Sequence, residues 1–517
     1  MVKNSAKIMY LASIAFFLLF IFTPPVYILS YAFKTQFILN EASKTALFNS
    51  LLFGFVVTLV DLVLGLPVAW VLARRKSLRF RHFIDTLIDM PLVVPTSVLG
   101  LSVFFFWSGG LGSLMGVEGG LLDKGPIMII LLHIVFTFPY VVRSIEAAIF
   151  QIDRAHEQAA TMLGASPFTA FRTISLPLFR AGLISGAILA FTRSLSETGA
   201  TMMVAGLAST APTIVVGYKK AGDIPSAAAI SVVLICVAVI LLILTKFWSR
   251  SFRVPFTRVW PSEEKTLSRR YVWLRDALVS FFVAAIILLP TFYIALSQLH
   301  VVRAGTLLAI AADQPIISAI LVSFVVGLIV TVVNLIFSMP LAMIVGRNMF
   351  NIGGILDTMN DVILLVPTSA LGLSLSLFWK NFQFNEFLIL VLAHLSFTFP
   401  LMLKPISAAL GGVDPNLEDA AKTLGARPLK VFTTVTYPLI RPGIIAGVIM
   451  TFMRSLSETG ATLSVSENIK TIPVLLVDLF NAQKVDDKAI LASILLFAMS
   501  FVFIVLLKRN PNKNARN

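Results

Sequence analysis

The sequence predicts an all-α membrane protein whose twelve transmembrane helices form two parallel six-helix repeats. Three observations predict this fold class: an apolar composition, long uncharged runs and an internal duplication. Of the 517 residues, 57% are hydrophobic and 13% are charged, and the mean hydropathy is +0.91. Soluble domains carry about 45–50% apolar and about 25% charged residues. The composition therefore excludes a water-soluble fold.

Each half contains six apolar runs of membrane-spanning length. An uncharged run of roughly 18 residues or more marks a transmembrane helix. The expected spans are 8–33, 46–73, 84–107, 126–149, 178–204 and 224–245 in the first half, and 277–299, 315–346, 355–379, 387–410, 439–465 and 487–507 in the second. We expect the first run to remain as a helix, because it is too long for a secretory signal and no clear cleavage site follows it.

The two halves of the chain are copies of one sequence repeat. SLSETGAT begins at Ser194 and again at Ser455, an offset of 455 − 194 = 261. FTFP, preceded by a histidine, recurs with the same offset, since 394 − 133 = 261 for His133 and His394. Because six crossings are an even number, both halves have one orientation and a pseudo-two-fold axis along the membrane normal should relate them.

The first half carries a short insertion. VPTS followed by LGLS occurs at Val94 and Val366, an offset of 366 − 94 = 272, so the first half is longer by 272 − 261 = 11 between these markers. The extra residues fall in the glycine-rich loop 108–125. This loop is expected to be a flexible connector or a contact for an external partner.

Positive charge is concentrated in alternate connections between the apolar runs. Five Lys or Arg residues lie in 74–81 and eight in 246–275. Such a bias marks the cytoplasmic side rather than a nucleic-acid ligand. We therefore expect a multi-pass protein of the plasma or inner membrane with both termini cytoplasmic. The expected domains are a first six-helix half (1–245), a cytoplasmic linker (246–276) and a second six-helix half (277–517).

A polar stretch follows the fourth span of each half. Each copy carries an acidic residue, two alanines and a glycine: Glu157, Ala159, Ala160 and Gly164, then Glu418, Ala420, Ala421 and Gly425. The glycine is typical of the left-handed end of a short helix. Small residues let another protein approach closely, so this helix could act as a lever. An ordinary connecting helix is the alternative interpretation.

This pattern resembles the EAA loop of ABC-importer permeases. Leu176 and Pro177 complete the first copy, whereas the second has Tyr437 before its proline. Gln158 and Asp419 stand where that family usually has glutamate. The resemblance covers essentially the whole chain and implies the type I ABC importer transmembrane fold. It also implies that the eight residues named above couple the chain to an ATPase subunit.

Charged pairs lie inside the fifth span of each half. Arg193 and Glu197, like Arg454 and Glu458, are four positions apart and can pair on one helical face. Charges at mid-bilayer avoid lipid, so the pairs should line or gate a pathway, or pin helices together. The hydroxyl groups beside them complete the expected pathway residues, namely Ser196, Thr198, Ser457 and Thr459.

Two features indicate different solutes. The Arg-x-x-x-Glu pattern followed by Gly-Ala-Thr resembles the sulfate and molybdate branch of importer permeases. Two halves fused in one chain are more similar to the ferric-iron and thiamine permeases. We favour a small inorganic oxyanion such as molybdate, tungstate or sulfate, with ferric iron or thiamine next.

Other polar residues in or near the spans are assigned structural roles. Asp61 and its twin Asn334 indicate a polar contact between helices. His133 and His394 have no second ligand at metal spacing, so we expect no metal site there. The four aspartates near the expected cytoplasmic ends should be solvated or paired with the basic loops, and no chemistry is assigned to them: Asp85, Asp89, Asp357 and Asp361.

The motifs that are missing narrow the function. No G-x-x-x-x-G-K-[ST] sequence is present, so ATP hydrolysis is expected on two copies of a separate ABC ATPase subunit. The longest external connection, 206–225, is too short for a binding domain, so a separate solute-binding protein is expected outside the membrane. We expect no cofactor, no catalytic residue, and no partner other than these proteins and lipid.

Two alternatives remain at this stage. A major facilitator transporter also has twelve helices in two parallel halves, but its charged motif would follow the second span. A membrane enzyme such as a lipid-linked transferase would show an unduplicated cluster of reactive residues, and the sequence has none.

Overall fold

The structure is a computed structural model that describes residues 2–34, 39–74, 81–110, 121–251 and 272–509. Within those ranges the chain is helical and contains no strand. Ten of the described helices are long and apolar enough to cross a membrane, or twelve spans if each of two bent pairs counts as one. The predicted fold class is therefore confirmed. Most of the linker and of the glycine-rich loop, and the basic residues 75–80, lie outside the described residues.

Ten helices make up the described part of the first half. They are α1 (Lys7–Lys34), α2 (Glu41–Arg74), α3 (Arg81–Val93), α4 (Thr96–Gly109), α5 (Pro126–Phe150), α6 (Arg154–Met162), α7 (Pro167–Ser196), α8 (Gly199–Val204), α9 (Ala211–Lys220) and α10 (Ile224–Ser251).

The second half repeats this order with one additional helix, α12. Its helices are α11 (Asp276–Val301), α12 (Ala304–Ala312), α13 (Gln314–Gly346), α14 (Gly353–Leu365), α15 (Thr368–Lys380), α16 (Glu386–Gly411), α17 (Pro415–Thr423), α18 (Pro428–Ser457), α19 (Gly460–Val465), α20 (Ile472–Asn481) and α21 (Asp487–Arg509).

The third span of each half is bent at a proline. Helices α3 and α4 meet at 110°, and α14 and α15 meet at 107°. Pro95 and Pro367, which precede α4 and α15, have extended backbone angles. Proline lacks an N–H donor and disfavours helix in the residue before it, which favours a break here, although Pro139 and Pro400 lie inside the continuous helices α5 and α16. The predicted spans 84–107 and 355–379 are thus pairs of short helices.

The first span of each half packs against the other half. Ser374 on α15 donates a hydrogen bond to the carbonyl of Pro24 on α1. Reciprocally, the Ser102 hydroxyl on α4 donates to the Pro290 carbonyl on α11 over 2.6 Å. The two repeats are therefore interlocked.

The fifth span crosses the fourth at very short range. A methyl group added at Gly182 on α7 would lie 2.4 Å from Ala148 Cβ on α5. At the equivalent place in the second half, one added at Gly443 would lie 2.7 Å from Ala409 Cβ. Small residues at such crossings let helix backbones approach closely. Each fifth span is thereby seated directly on the fourth.

Candidate translocation site and coupling helices

The short helices α6 and α17 are the polar stretches identified by the duplication. Asp153 caps α6 by accepting a hydrogen bond from the Ala155 backbone N–H (2.9 Å), and Asp414 caps α17 from that of Asn416 (3.0 Å). A side-chain oxygen at this position satisfies a free N–H of the first helical turn. The sequence thus fixes where each short helix begins.

Both short helices end at the predicted glycines. Gly164 and Gly425 have φ of +89° and +84°. The residue after each glycine donates to a carbonyl five positions earlier, Ala165 to Ala160 (3.0 Å) and Ala426 to Ala421 (3.1 Å). This is the Schellman arrangement, in which the left-handed residue is usually glycine.

The exposed tips of α6 and α17 are alike. Ala159 and Ala420 are exposed, whereas Ala160 and Ala421 are half-buried. Beside them, Leu163 and Leu424 are 89% and 88% exposed. The repeated sequence places these leucines beside the alanines of the same short helices, and their side chains protrude from the surface. Each tip therefore presents small residues around one protruding leucine.

Glu157 and Glu418 point away from these tips. The Glu157 carboxylate contacts the Arg74 guanidinium and accepts from the Ser175 hydroxyl (3.0 Å). Glu418 accepts from Arg347 (2.9 Å) and from the Thr436 hydroxyl (2.7 Å). Two of the eight predicted coupling residues thus bond to the chain's own helices.

The SLSETGAT motif is a break between two helices. Helix α7 ends at Ser196, Glu197 is extended (φ −75°, ψ 131°), and α8 begins at Gly199. The Glu197 carboxylate accepts from the Ala200 backbone N–H (3.1 Å), and Glu458 accepts from Ala461 (2.9 Å). The predicted spans 178–204 and 439–465 are therefore interrupted near their far ends.

The predicted ion pairs are present in both halves. Arg193 Nη2 lies 2.7 Å from Glu197 Oε2, and Arg454 Nη2 lies 2.6 Å from Glu458 Oε2. Each pair is electrically neutral as a unit. The neighbouring Ser196 and Ser457 hydroxyls donate to the carbonyls of the two arginines, over 3.0 and 3.1 Å.

The two motifs touch each other where the halves meet. A methyl group added at Gly199 would lie 2.5 Å from Thr459 Cβ, and one added at Gly460 would lie 2.7 Å from Thr198 Oγ1. Both threonines are 2% exposed. We call these four residues the central seam: Gly199, Thr198, Gly460 and Thr459.

The central seam lies nearer the end of the bundle opposite α6 and α17. His133, which bonds to this motif, lies on α5, which runs from Pro126 to Phe150. At a rise of about 1.5 Å for each position along a helix, His133 is about 10 Å from the start of α5 and about 25 Å from its α6 end. The arginine side chains on the α6 side of the seam are 15% and 25% exposed, against 2% for the seam threonines.

A buried histidine spans each helix break. His133 Nδ1 is 2.7 Å from the Ser194 hydroxyl and its Nε2 is 2.9 Å from the Thr201 hydroxyl. His394 makes the same contacts with Ser455 (2.8 Å) and Thr462 (3.0 Å). Each ring therefore links α7 to α8, or α18 to α19, from the neighbouring fourth span.

The remaining polar residues are bonded within the bundle. Asp85 and Asp89 pair with Arg143 on α5, at 3.1 and 2.6 Å. Asp357 and Asp361 pair with the equivalent lysine on α16, Lys404, both at 2.7 Å. These two basic partners were not predicted from the sequence, although they too are separated by the offset of the repeat.

The expected polar contact of Asp61 is present. Its carboxylate lies 2.5 Å from the Thr137 hydroxyl, and Asn334 donates to that of Thr398 over 2.8 Å. In the described part of the chain, no three His, Cys, Asp or Glu side chains converge as metal ligands.

The chain matches proteins of known transport systems. The sequence profile of the family "binding-protein-dependent transport system inner membrane component" matches residues 65–254 and again 338–510. The molybdate/tungstate transport system permease protein WtpB of Methanocaldococcus jannaschii is 31% identical over 232 residues, which cover 45% of this chain and 92% of that protein.

Two further relatives come from bacteria. The molybdenum transport system permease protein ModB of Mycobacterium tuberculosis is 32% identical over 40% of this chain and 80% of its own length. The sulfate transport system permease protein CysT of Salmonella typhimurium is 33% identical over 41% and 79%. Each relative thus corresponds to about half of this chain. With two matches to the family profile and two interlocked helical repeats, the chain belongs to the binding-protein-dependent transport system inner membrane components, as a fusion of two such permease halves.

Proposed function

We propose that this chain is the complete two-half membrane channel of an ATP-driven importer for a small inorganic oxyanion. The observation that carries the proposal is the pair of matching exposed tips on α6 and α17, each connected to a helix that ends at the central seam. Movement of the tips would reach the seam through the fifth spans. Separate ATPase subunits would supply that movement.

The similarity of the two tips supports the docking of two copies of one kind of ATPase subunit. Ala159, Ala160, Leu163 and Gly164 on the first tip have identical counterparts on the second. A groove that accepts one tip would therefore accept the other. The chain itself would hydrolyse no ATP.

The central seam supports a gate on the side away from the ATPase. Exposure falls from the paired arginines to the seam threonines, which supports a pathway that would be closed at the seam and open toward α6 and α17. With α6 and α17 in the cytoplasm, both termini would be cytoplasmic and this arrangement would face inward. A separate solute-binding protein would deliver the solute from the opposite side.

The choice of an oxyanion as the solute rests on the relatives and not on the charge of the central arginine and glutamate pairs. The names of three relatives specify molybdate, tungstate, molybdenum or sulfate. Because Glu197 and Glu458 neutralise the nearby arginines, these pairs provide little net attraction for an anion. Hydroxyl groups such as those of Ser196 and Thr198 would instead donate hydrogen bonds to a tetrahedral oxyanion, in exchange for their present bonds to backbone carbonyls.

Ferric iron and thiamine remain the next candidates because their permeases share the fused organisation. Family membership argues against the major facilitator alternative and against a membrane enzyme.

The test is reconstitution with candidate ATPase and binding proteins in lipid vesicles. We expect molybdate, tungstate or sulfate, bound to the binding protein, to stimulate ATP hydrolysis and to enter the vesicles only with ATP. Stimulation by ferric iron or thiamine alone would overturn the oxyanion assignment. Uptake that needs an ion gradient and no ATPase would overturn the importer mechanism.

A further inference from the structure

Each short helix is connected to the bundle by a carboxylate, and on α6 the Arg154 guanidinium also donates to the Arg74 carbonyl. Glu157 on α6 bonds at once to Arg74, the last residue of α2, and to Ser175 in the first turns of α7. The side chains of Glu157 and Arg74 are largely buried. One carboxylate therefore joins α6 to the helix that follows it, α7, and to α2, whose Arg74 lies 83 positions earlier in the sequence.

The second half builds the same connection. Glu418 on α17 bonds to Arg347, directly after α13, and to Thr436 in the first turns of α18. In the first half the glycine-rich insertion lies between the arginine and the glutamate, whereas the second half lacks it. The contact is thus retained although the spacing between its members differs between halves.

The arginine also holds the connection that leads into the short helix. Arg74 Nη1 donates to the Ile152 carbonyl (3.2 Å), just after α5, and Arg347 Nη1 donates to the Val413 carbonyl (2.8 Å), just after α16. Each arginine therefore fixes the entry to the short helix, while the serine or threonine fixes its exit. We call these contacts the carboxylate brackets: Arg74, Glu157 and Ser175, and Arg347, Glu418 and Thr436.

We propose that Glu157 and Glu418 are positioning residues that transmit displacement of α6 and α17 to the second and fifth spans, rather than contacts for the ATPase. This proposal rests on the proposed function. A short helix on free connections would tilt without moving the bundle. Charge-assisted hydrogen bonds to both flanking helices are strong and directional, so the helices move together.

The experiment uses the full chain with its ATPase in vesicles. In the double variant Glu157→Ala and Glu418→Ala, we expect ATPase binding and ATP hydrolysis to persist. Solute moved per ATP should fall by roughly tenfold or more, because each bracket loses a charge-assisted hydrogen bond together with its hydroxyl hydrogen bond. Reversing both pairs together, as R74E with E157R and R347E with E418R, should restore part of that ratio.

An exposed ion pair on α2 provides the matched control. Lys44 and Glu41 lie 2.7 Å apart at the other end of the same helix, and Glu41→Ala should leave the ratio unchanged. If the alanine variant does not accumulate in the membrane, Glu157→Gln with Glu418→Gln gives the same measurement with a smaller steric change.

Two results would overturn the brackets. One is weaker ATPase binding when Glu157 and Glu418 are replaced by alanine, with no rescue by charge reversal. Residues that contact the ATPase directly would behave in this way. The other is an unchanged solute-to-ATP ratio. Absence of ATP-dependent uptake by the unmodified chain would instead refute the proposed function, so the two failures are distinguishable.

Discussion

Gly164 and Gly425 are required for backbone conformation, not for space. Both have a positive φ, and a methyl group added at either would meet nothing within 4 Å. A side chain in this left-handed region costs roughly 1–2 kcal/mol. Substitution therefore strains the end of the short helix without creating a clash.

Replacing both glycines with valine should abolish coupling and leave membrane insertion intact. The strained ends would shift the leucines that protrude beside them. Asparagine tolerates the left-handed region better, so Gly164→Asn with Gly425→Asn should be milder. Solute-stimulated ATP hydrolysis measures the loss, and unchanged ATP-dependent uptake by the valine variant would refute the lever role.

Gly199 and Gly460, in contrast, are required because there is no space for a side chain at these positions. Each faces a threonine of the other half at a distance that leaves no room for a methyl group. Something must shift if a side chain is added, and the shift would separate the halves at the central seam.

Gly199→Ala with Gly460→Ala should let labelled solute leak from vesicles in the absence of ATP. Efflux without the ATPase measures the leak. Gly217→Ala on α9 is the control, because a methyl group there would meet nothing within 4 Å and vesicles should stay tight. Equal retention by the seam variant and the control would show that the seam is not the closed gate.

At the scale of elements, the histidines fix the angle between α7 and α8. Because His133 reaches one hydroxyl before the break and one after it, loss of the ring frees both sides. Leaving a buried hydroxyl unpaired costs about 1–3 kcal/mol. The break is therefore held from α5 as well as by its own bond between Glu197 and Ala200.

His133→Phe should lower the thermal unfolding temperature in detergent and raise passive solute leak. Ser194→Ala removes one of the same hydrogen bonds. The variant that combines Ser194→Ala with His133→Phe should therefore unfold and leak nearly as His133→Phe does alone. Thermal unfolding and efflux, measured on all three variants, give the coupling between the two sites. Fully additive effects would contradict a shared network.

The sequence predicted the location of the spans but not their internal breaks. The mean hydropathy of each span stays positive across Pro95 and across Glu197. A hydropathy window therefore does not show that the chain turns at these positions. The connection 206–225 contains the helix α9, with buried residues. This helix was not predicted, because a short apolar stretch between glycines and prolines resembles a loop in sequence. Helix direction is decided by packing, which hydropathy does not record.

Site residues were predictable where the chain repeats itself. The duplicated motif identified the arginine and glutamate pairs and the terminal glycines. It did not reveal that Glu157 would meet Arg74, because these two residues are distant in sequence and only the folded chain brings α2 beside α6. Nor did it reveal Arg143 as the partner of the α3 aspartates, since burial of that cluster depends on how α3 packs on α5.

At the scale of the whole molecule, the exchanged first spans make each half depend on the other. Helix α1 packs on the second half through contacts such as Phe16 with Phe337, whose ring centres are 3.9 Å apart. Helix α11 packs on the first half, where Tyr293 meets Phe106. Each first span packs mainly on the other half and makes a smaller contact with the sixth span of its own half.

Coexpressing residues 1–251 and 272–517 as separate chains should therefore give a complex that copurifies and supports ATP-dependent uptake. Either half alone should aggregate in detergent, because the surface meant for the other half stays exposed. Copurification and size-exclusion chromatography measure both outcomes. Two halves that remain monodisperse on their own and do not associate would contradict the interlocked arrangement.

The central claim is that force applied at α6 and α17 by a separate ATPase opens the central seam. The direct measurement is the cross-linking rate of Thr198→Cys with Thr459→Cys, in a chain whose single native cysteine, Cys236, is replaced by serine. With the ATPase and binding protein present, we expect rapid cross-linking without nucleotide and much slower cross-linking when ATP is bound. A rate that is the same with and without ATP would contradict the account.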